Sequence, residues 1–94
     1  MKQYDKSVND LNIFLKQNPK SYLAYYYRSL NYEKLYYYQT ALIDVYKALY
    51  IKPGFRPTII LRNKLNHTIG YNEIDIFFNV VLNFQKLGTA ILMN

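Results

Sequence analysis

An internal repeat runs through this chain at an offset of 34 residues. Identical residues coincide at several pairs of positions, among them Tyr4 and Tyr38, Asp10 and Asp44, Leu15 and Leu49, Pro19 and Pro53, and Arg28 and Arg62. A period of this length is typical of stacked helical hairpins, in which each unit buries its apolar face only against its neighbours. The repeat therefore predicts an all-α solenoid of antiparallel helix hairpins.

Residues that begin and end helices occur where this period requires them. Pro19 should stop a first helix, and the hydroxyl of Ser21 can cap a second by accepting a hydrogen bond from a free backbone N–H. An apolar stripe over residues 41–49 marks a third helix. Pro57 suits the first turn of a fourth, and Gly70 favours the left-handed residue that ends it. A fifth helix should begin near Asn72. Its inward-facing side chains would be Ile74, Phe77, Phe78, Val81 and Leu82.

The middle of the chain carries aromatic, small and proline residues at regular intervals, which are Tyr25, Arg28, Ser29, Tyr32, Ala41, Val45, Ala48 and Pro53. These intervals match the signature of the tetratricopeptide repeat family, which the chain resembles over about 85 residues. The resemblance implies helix pairs that approach closely at Ala41 and Ala48, because their side chains are small. Ser29 replaces the usual Gly, Val45 replaces an aromatic residue, and Tyr36 stands where a turn Gly is common.

The resemblance implies a single domain of about two and a half repeats. Residues 1–20 resemble the second helix of a preceding repeat, residues 21–54 form a complete repeat, and residues 55–94 form a degenerate or capping repeat. The packing positions of the first segment are Ser7, Leu11 and Phe14. Because such arrays generally need three or more repeats, we expect a piece of a longer solenoid or a chain that assembles with another subunit.

The composition offers little for catalysis. The 94 residues include no Cys and one His, which removes disulfides and thiolate metal sites. His67 has no acidic residue within five positions, and Glu73 and Asp75 would point apart on a helix. We therefore expect no enzyme activity, no metal and no cofactor.

The second helix is apolar on two sides, which predicts that both sides are covered. Tyr25, Ser29 and Tyr32 form one stripe, and a second stripe lies nearly opposite. In the resembled family the second stripe lines a concave groove that holds a peptide or helix of a partner. The groove residues that the resemblance implies are Leu23, Tyr26, Leu30, Glu33, Ile60, Lys64 and His67. Alternatively, these residues pack on a neighbouring repeat or lie in solvent.

Many relatives in the resembled family hold a C-terminal carboxylate with Lys, Asn and Arg in this groove. The corresponding residues here are Tyr26, Tyr27, Leu30, Ile60, Leu61 and Lys64, which do not form such a clamp. An apolar or mixed ligand is expected instead. The function that follows is a protein–protein interaction scaffold or a structural subunit of a larger assembly.

The chain is basic, with a formal net charge of +6. The stretch between Val45 and Asn72 contains no acidic residue and five basic ones, which are Lys47, Lys52, Arg56, Arg62 and Lys64. They could contact an acidic partner or a phosphate backbone. Because their positions do not fall on one helical face, a solvated surface is the preferred interpretation, and a helical-repeat RNA-binding module is the alternative function.

Neither a secretory signal nor a membrane span is expected from the sequence. Lys2, Asp5, Lys6 and Asp10 interrupt the region where an apolar signal segment would lie. The most apolar tract, residues 74–93, contains acidic, amide and basic side chains that lipid would not accommodate. We expect a cytoplasmic protein, with an organelle or a ciliary assembly left open.

Overall fold

A computed structural model of the chain describes residues 2–70 and 80–81. Four helices cover most of this part, and they are α1 (Lys2–Gln17), α2 (Tyr22–Lys34), α3 (Tyr38–Ile51) and α4 (Arg56–Ile69). Each helix packs mainly against its neighbour in sequence, and the described residues include no strand. The all-α prediction is confirmed for these residues, whereas the tetratricopeptide-like solenoid arrangement stays a prediction.

The predicted helix ends are confirmed. Helix α1 ends two residues before Pro19, and Ser21 caps α2 by accepting a hydrogen bond of 3.2 Å from the Ala24 N–H. Pro57 lies in the first turn of α4, and Gly70 ends that helix with a φ of 69°. Local chemistry thus determines where these helices start and stop.

A tyrosine closes helix α2 in a conformation that usually belongs to glycine. Tyr36 has a φ of 66°, in the left-handed region. Its N–H donates to the Glu33 carbonyl at 3.0 Å, and the N–H of Tyr37 donates to the Tyr32 carbonyl at 2.9 Å. This is the Schellman pattern of helix ends, in which the left-handed residue turns the chain so that orphan carbonyls are satisfied.

Helix α3 lies at the centre of the core. The buried cluster consists of Ala41, Leu42, Val45, Tyr46, Leu61, Leu65 and Val80. Ala41 and Ala48 are completely buried, as predicted, and Ser29 of α2 and Thr58 of α4 are completely buried as well. Small side chains at these contacts let neighbouring helices approach closely.

The fifth predicted helix is described only at residues 80 and 81, which are helical. Ile74, Phe77, Phe78 and Leu82 lie outside the described residues. Val81, which was predicted to face inward, is partly buried, and its neighbour Val80, which was not named in that prediction, is buried in the core. Neighbouring residues on an α-helix point about 100° apart, so Val80 and Val81 differ in how directly they face the core.

Within the described residues, no helix has both the length and the apolar character needed to cross a membrane.

Candidate functional site

A partly buried arginine links three helices. The Nε and Nη2 atoms of Arg28 donate to the two carboxylate oxygens of Asp44 at 2.7 Å each. Its Nη1 atom donates to the Asn12 side-chain oxygen at 2.8 Å. Arg28 of α2 is thereby linked to α1 and α3, and Asp44 is buried. Because these donors are used within the protein, the arginine holds helices together and does not present its charge to a ligand.

The same contacts act on the ionisation of both groups. Burial raises the pKa of the Asp44 carboxyl, and the hydrogen bonds from Arg28 oppose that rise. The hydrogen bond to Asp44 raises the pKa of the Arg28 guanidinium, which therefore stays protonated. The rings of Tyr25 and Tyr32 lie 5.5 and 5.9 Å from the guanidinium carbon. Cation–π contacts of this kind add to the stability of the partly buried guanidinium charge.

The structure links two of the predicted groove residues directly. The Lys64 ammonium lies 2.9 Å from a carboxylate oxygen of Glu33, so this ion pair joins α4 to α2. Tyr26 and Leu30 are partly buried and pack against the core.

The other three predicted groove residues, Leu23, Ile60 and His67, are exposed. Among the described residues, no polar or ring contact joins them to the rest of the predicted set. The predicted groove is therefore only partly assembled by contacts within the chain.

Four aromatic rings form a continuous row across α2 and the start of α4. The ring centres of Tyr22 and Phe55 are 5.1 Å apart, those of Phe55 and Tyr26 are 5.5 Å apart, and those of Tyr26 and Tyr27 are 5.4 Å apart. We call Tyr22, Phe55, Tyr26 and Tyr27 the aromatic row. The Lys52 ammonium lies 5.8 Å from the Tyr22 ring centre. The row is an apolar surface with a cation at one end.

Of the aromatic row only Tyr26 belongs to the predicted groove. Tyr22, Tyr27 and Phe55 are absent from it, although the repeat contains a signal for Phe55. The 34-residue offset aligns Phe55 with Ser21, and each is the N-cap of its helix. Phe55 makes no side-chain capping hydrogen bond. The N-cap position favours Ser, Asp or Asn, so a phenylalanine there indicates a side chain whose role is packing.

A second group of tyrosines surrounds the turn between α2 and α3. The ring centres of Tyr32 and Tyr37 are 6.2 Å apart, as are those of Tyr36 and Tyr38. Tyr37 is 56% exposed, close to the 50% of Tyr27 in the aromatic row. The two groups lie at different ends of α2, so Tyr37 is a matched control for Tyr27.

The charge of the chain is concentrated on α2, α3, α4 and the turns beside them. Between residues 20 and 70, eight basic side chains accompany two acidic ones, an excess equal to the whole formal net charge of +6. The two acids, Glu33 and Asp44, are both held in ion pairs, with Lys64 and Arg28. Every carboxylate side chain of these three helices is therefore already paired with a base.

No group of three or more His, Cys, Asp or Glu side chains that could hold a metal ion occurs among residues 2–70 and 80–81. Comparison of the chain with models of protein families, with curated proteins and with solved structures gave no match.

Proposed function

We propose that the chain is a non-catalytic protein-interaction module that binds a helix or peptide of a partner on the side formed by α2 and α4. The observation that carries the proposal is the aromatic row. Leu23 is exposed three and four residues before Tyr26 and Tyr27 on α2, so it shares their face, and Ile60 is exposed on α4. Aromatic residues at the centre of an apolar surface supply much of the binding energy in protein interfaces. Exposed apolar patches of this kind mark interaction sites.

The polar side chains that join the helices favour a scaffold as well. Arg28 and Asp44 use their charges to join helices, and Thr58 donates its hydroxyl hydrogen to the Phe55 carbonyl at 2.6 Å. These groups stabilise the positions of α2 and the start of α4, on which the aromatic row lies. A rigid framework lowers the entropy lost when a partner binds to that row.

Site-specific photocrosslinking in cells tests the proposal. A crosslinking amino acid at position 27 should capture a discrete protein, and the same amino acid at position 37 should not capture it. Tyr27→Ala should reduce co-purification of that protein, with little change in helix content by circular dichroism. Equal capture from both positions, or capture of no protein from position 27, would contradict the proposal.

An RNA-binding module is the second candidate, because Lys52 and the exposed Arg56 lie beside aromatic residues. Single-strand binding proteins combine basic grooves with rings on which bases stack. Filter binding of single-stranded RNA separates the two functions. Tight binding that falls steeply as the salt concentration rises would favour RNA.

A further inference from the structure

We infer that the partner segment is an acidic amphipathic helix whose apolar side chains contact the aromatic row and whose carboxylates contact Lys52, Arg56 and Lys64, with Glu33 as an internal competitor for Lys64. This inference rests on the proposed function and names the chemistry of the partner. It follows from the charges and contacts of α2 and α4.

The apolar part of the surface crosses two helices. The aromatic row runs from α2 to Phe55 at the start of α4, and Ile60 is exposed further along α4. An amphipathic helix presents apolar side chains at intervals of three and four residues, which suits a strip between two helices. Leu23, also exposed, extends the same apolar surface on α2.

The basic part of the surface lies beside this strip. Arg56, Ile60 and Lys64 follow one another at intervals of four residues, so they share a face of α4. Lys52 is exposed at the end of α3, and its ammonium lies against the first ring of the row. By sequence the five cations fall on no single helical face, but Arg56 and Lys64 flank an exposed apolar residue on α4, and Lys52 lies against the row. A partner with carboxylates beside its apolar face complements this arrangement.

Glu33 already forms with Lys64 the kind of ion pair that a carboxylate of the partner would form. Its side chain is 11% exposed and its oxygen lies 2.9 Å from the ammonium of Lys64, whose own side chain is 63% exposed. The hydrogen bond from Lys64 to Glu33 raises the pKa of the lysine. Because more than half of the Lys64 side chain is exposed, its ammonium is accessible to a second carboxylate. That carboxylate has to share the ammonium with Glu33.

The ring geometry favours a protein over a nucleic acid. The planes of Phe55 and Tyr26 are inclined by 86°, and those of Tyr22 and Phe55 by 66°. Base stacking needs rings with open faces. Edge-to-face packing uses faces and edges of these rings within the row, and Lys52 covers the Tyr22 ring.

The probe is a synthetic peptide of about 18 residues that is designed as an amphipathic helix. Leu residues at alternating intervals of three and four form its apolar face, and Glu occupies most other positions. Its control has Lys in place of every Glu. Fluorescence anisotropy with the whole chain should show binding of the acidic peptide that weakens as salt rises, and no binding of the basic peptide. Equal binding of both peptides would overturn the inference.

Variants of the chain test the competition directly. Glu33→Gln should raise the affinity for the acidic peptide by about two- to fivefold, the range expected for one exposed ion pair. The gain should disappear in the Glu33→Gln/Lys64→Gln double variant. An affinity unchanged by Glu33→Gln, with the circular dichroism melt also unchanged, would reject the role of Glu33.

Charge reversal tests the basic part of the surface. Lys52→Glu and Arg56→Glu together should weaken peptide binding by about tenfold or more, because each places a like charge opposite the peptide. Lys6→Glu and Lys16→Glu on α1 change the net charge equally and should alter the affinity less than about twofold if the contact is local. Equal losses in the two double variants would show that only net charge matters, which contradicts the inference.

Two further outcomes separate this inference from the proposed function. Capture of a protein from position 27, together with no binding of the acidic peptide, would reject the acidic helix and retain protein binding. Tighter binding of single-stranded RNA than of the acidic peptide, with the same sensitivity to Lys52→Glu and Arg56→Glu, would reject both.

Discussion

Tyr36 has a backbone conformation that is unfavourable for an L residue. Its φ of 66° brings a Cβ atom close to backbone oxygen, at a cost of about 1 to 2 kcal/mol for an L residue. Tyr36→Gly should therefore raise the free energy of unfolding by about 1 kcal/mol, as measured by urea denaturation. Tyr37→Gly is the control, because Tyr37 has a φ of −93° and no such strain to release. A loss of stability in Tyr36→Gly equal to that in Tyr37→Gly would show that the ring contact with Tyr38 dominates.

Variants of Arg28 and Asp44 measure how much their ion pair contributes to the free energy of unfolding. Arg28→Ala or Asp44→Ala leaves a partner charge inside the protein, so each should lower the free energy of unfolding by about 3 kcal/mol. The double variant should lose clearly less than the sum, because both charges are then gone. Arg62→Ala, at the equivalent position one repeat later, should lose less, because the Nε atom of Arg62 donates to the adjacent Asn63 side chain in an exposed hydrogen bond of 3.2 Å. Additive losses in chemical denaturation would mean that the two side chains act independently.

At the scale of the helix, the packing of α3 against its neighbours depends on small side chains. Ala41 and Ala48 have no exposed surface, so a larger side chain must move a neighbouring helix. Ala41→Leu or Ala48→Leu should lower the free energy of unfolding by about 1 to 3 kcal/mol or more, visible in a thermal melt by circular dichroism. Thr40→Leu, at an exposed position of the same helix, should change it by less than about 0.5 kcal/mol. Similar melts for all three variants would rule out close packing at the two alanines.

The elements differ in how far the sequence alone could predict them. Pro19, Ser21 and Gly70 act on the backbone beside them, so the ends of the helices followed from local chemistry. The pairing of Arg28 with Asp44 did not follow, because the repeat aligns each of them with an equivalent residue and carries no information on contacts within a hairpin. The aromatic row was missed at Phe55 for a related reason. Its contact with Tyr22 and Tyr26 depends on where α4 starts relative to α2, which is a tertiary property.

At the scale of the whole molecule, α1 has an apolar face that the described residues leave open. The 34-residue offset aligns Leu11 with Val45 and Phe14 with Ala48. On α3 these positions are completely buried, whereas on α1 Leu11 is partly exposed and Phe14 is 47% exposed. The same repeat position is thus covered on one helix and uncovered on the other. We expect another helix, from an assembly partner or a second copy, to cover it.

Association of the purified chain tests this expectation. The average mass should rise with concentration in sedimentation equilibrium, and Phe14→Ser should lower that rise without lowering the melting temperature, because it removes exposed apolar surface. Leu15→Ser is the matched control, since the buried neighbour contributes to the core and its loss should destabilise the fold by about 2 kcal/mol or more. If the wild-type chain keeps its monomer mass at every concentration, a second copy does not cover α1. If it also melts cooperatively, the uncovered face needs no partner for stability, and the expectation of assembly fails.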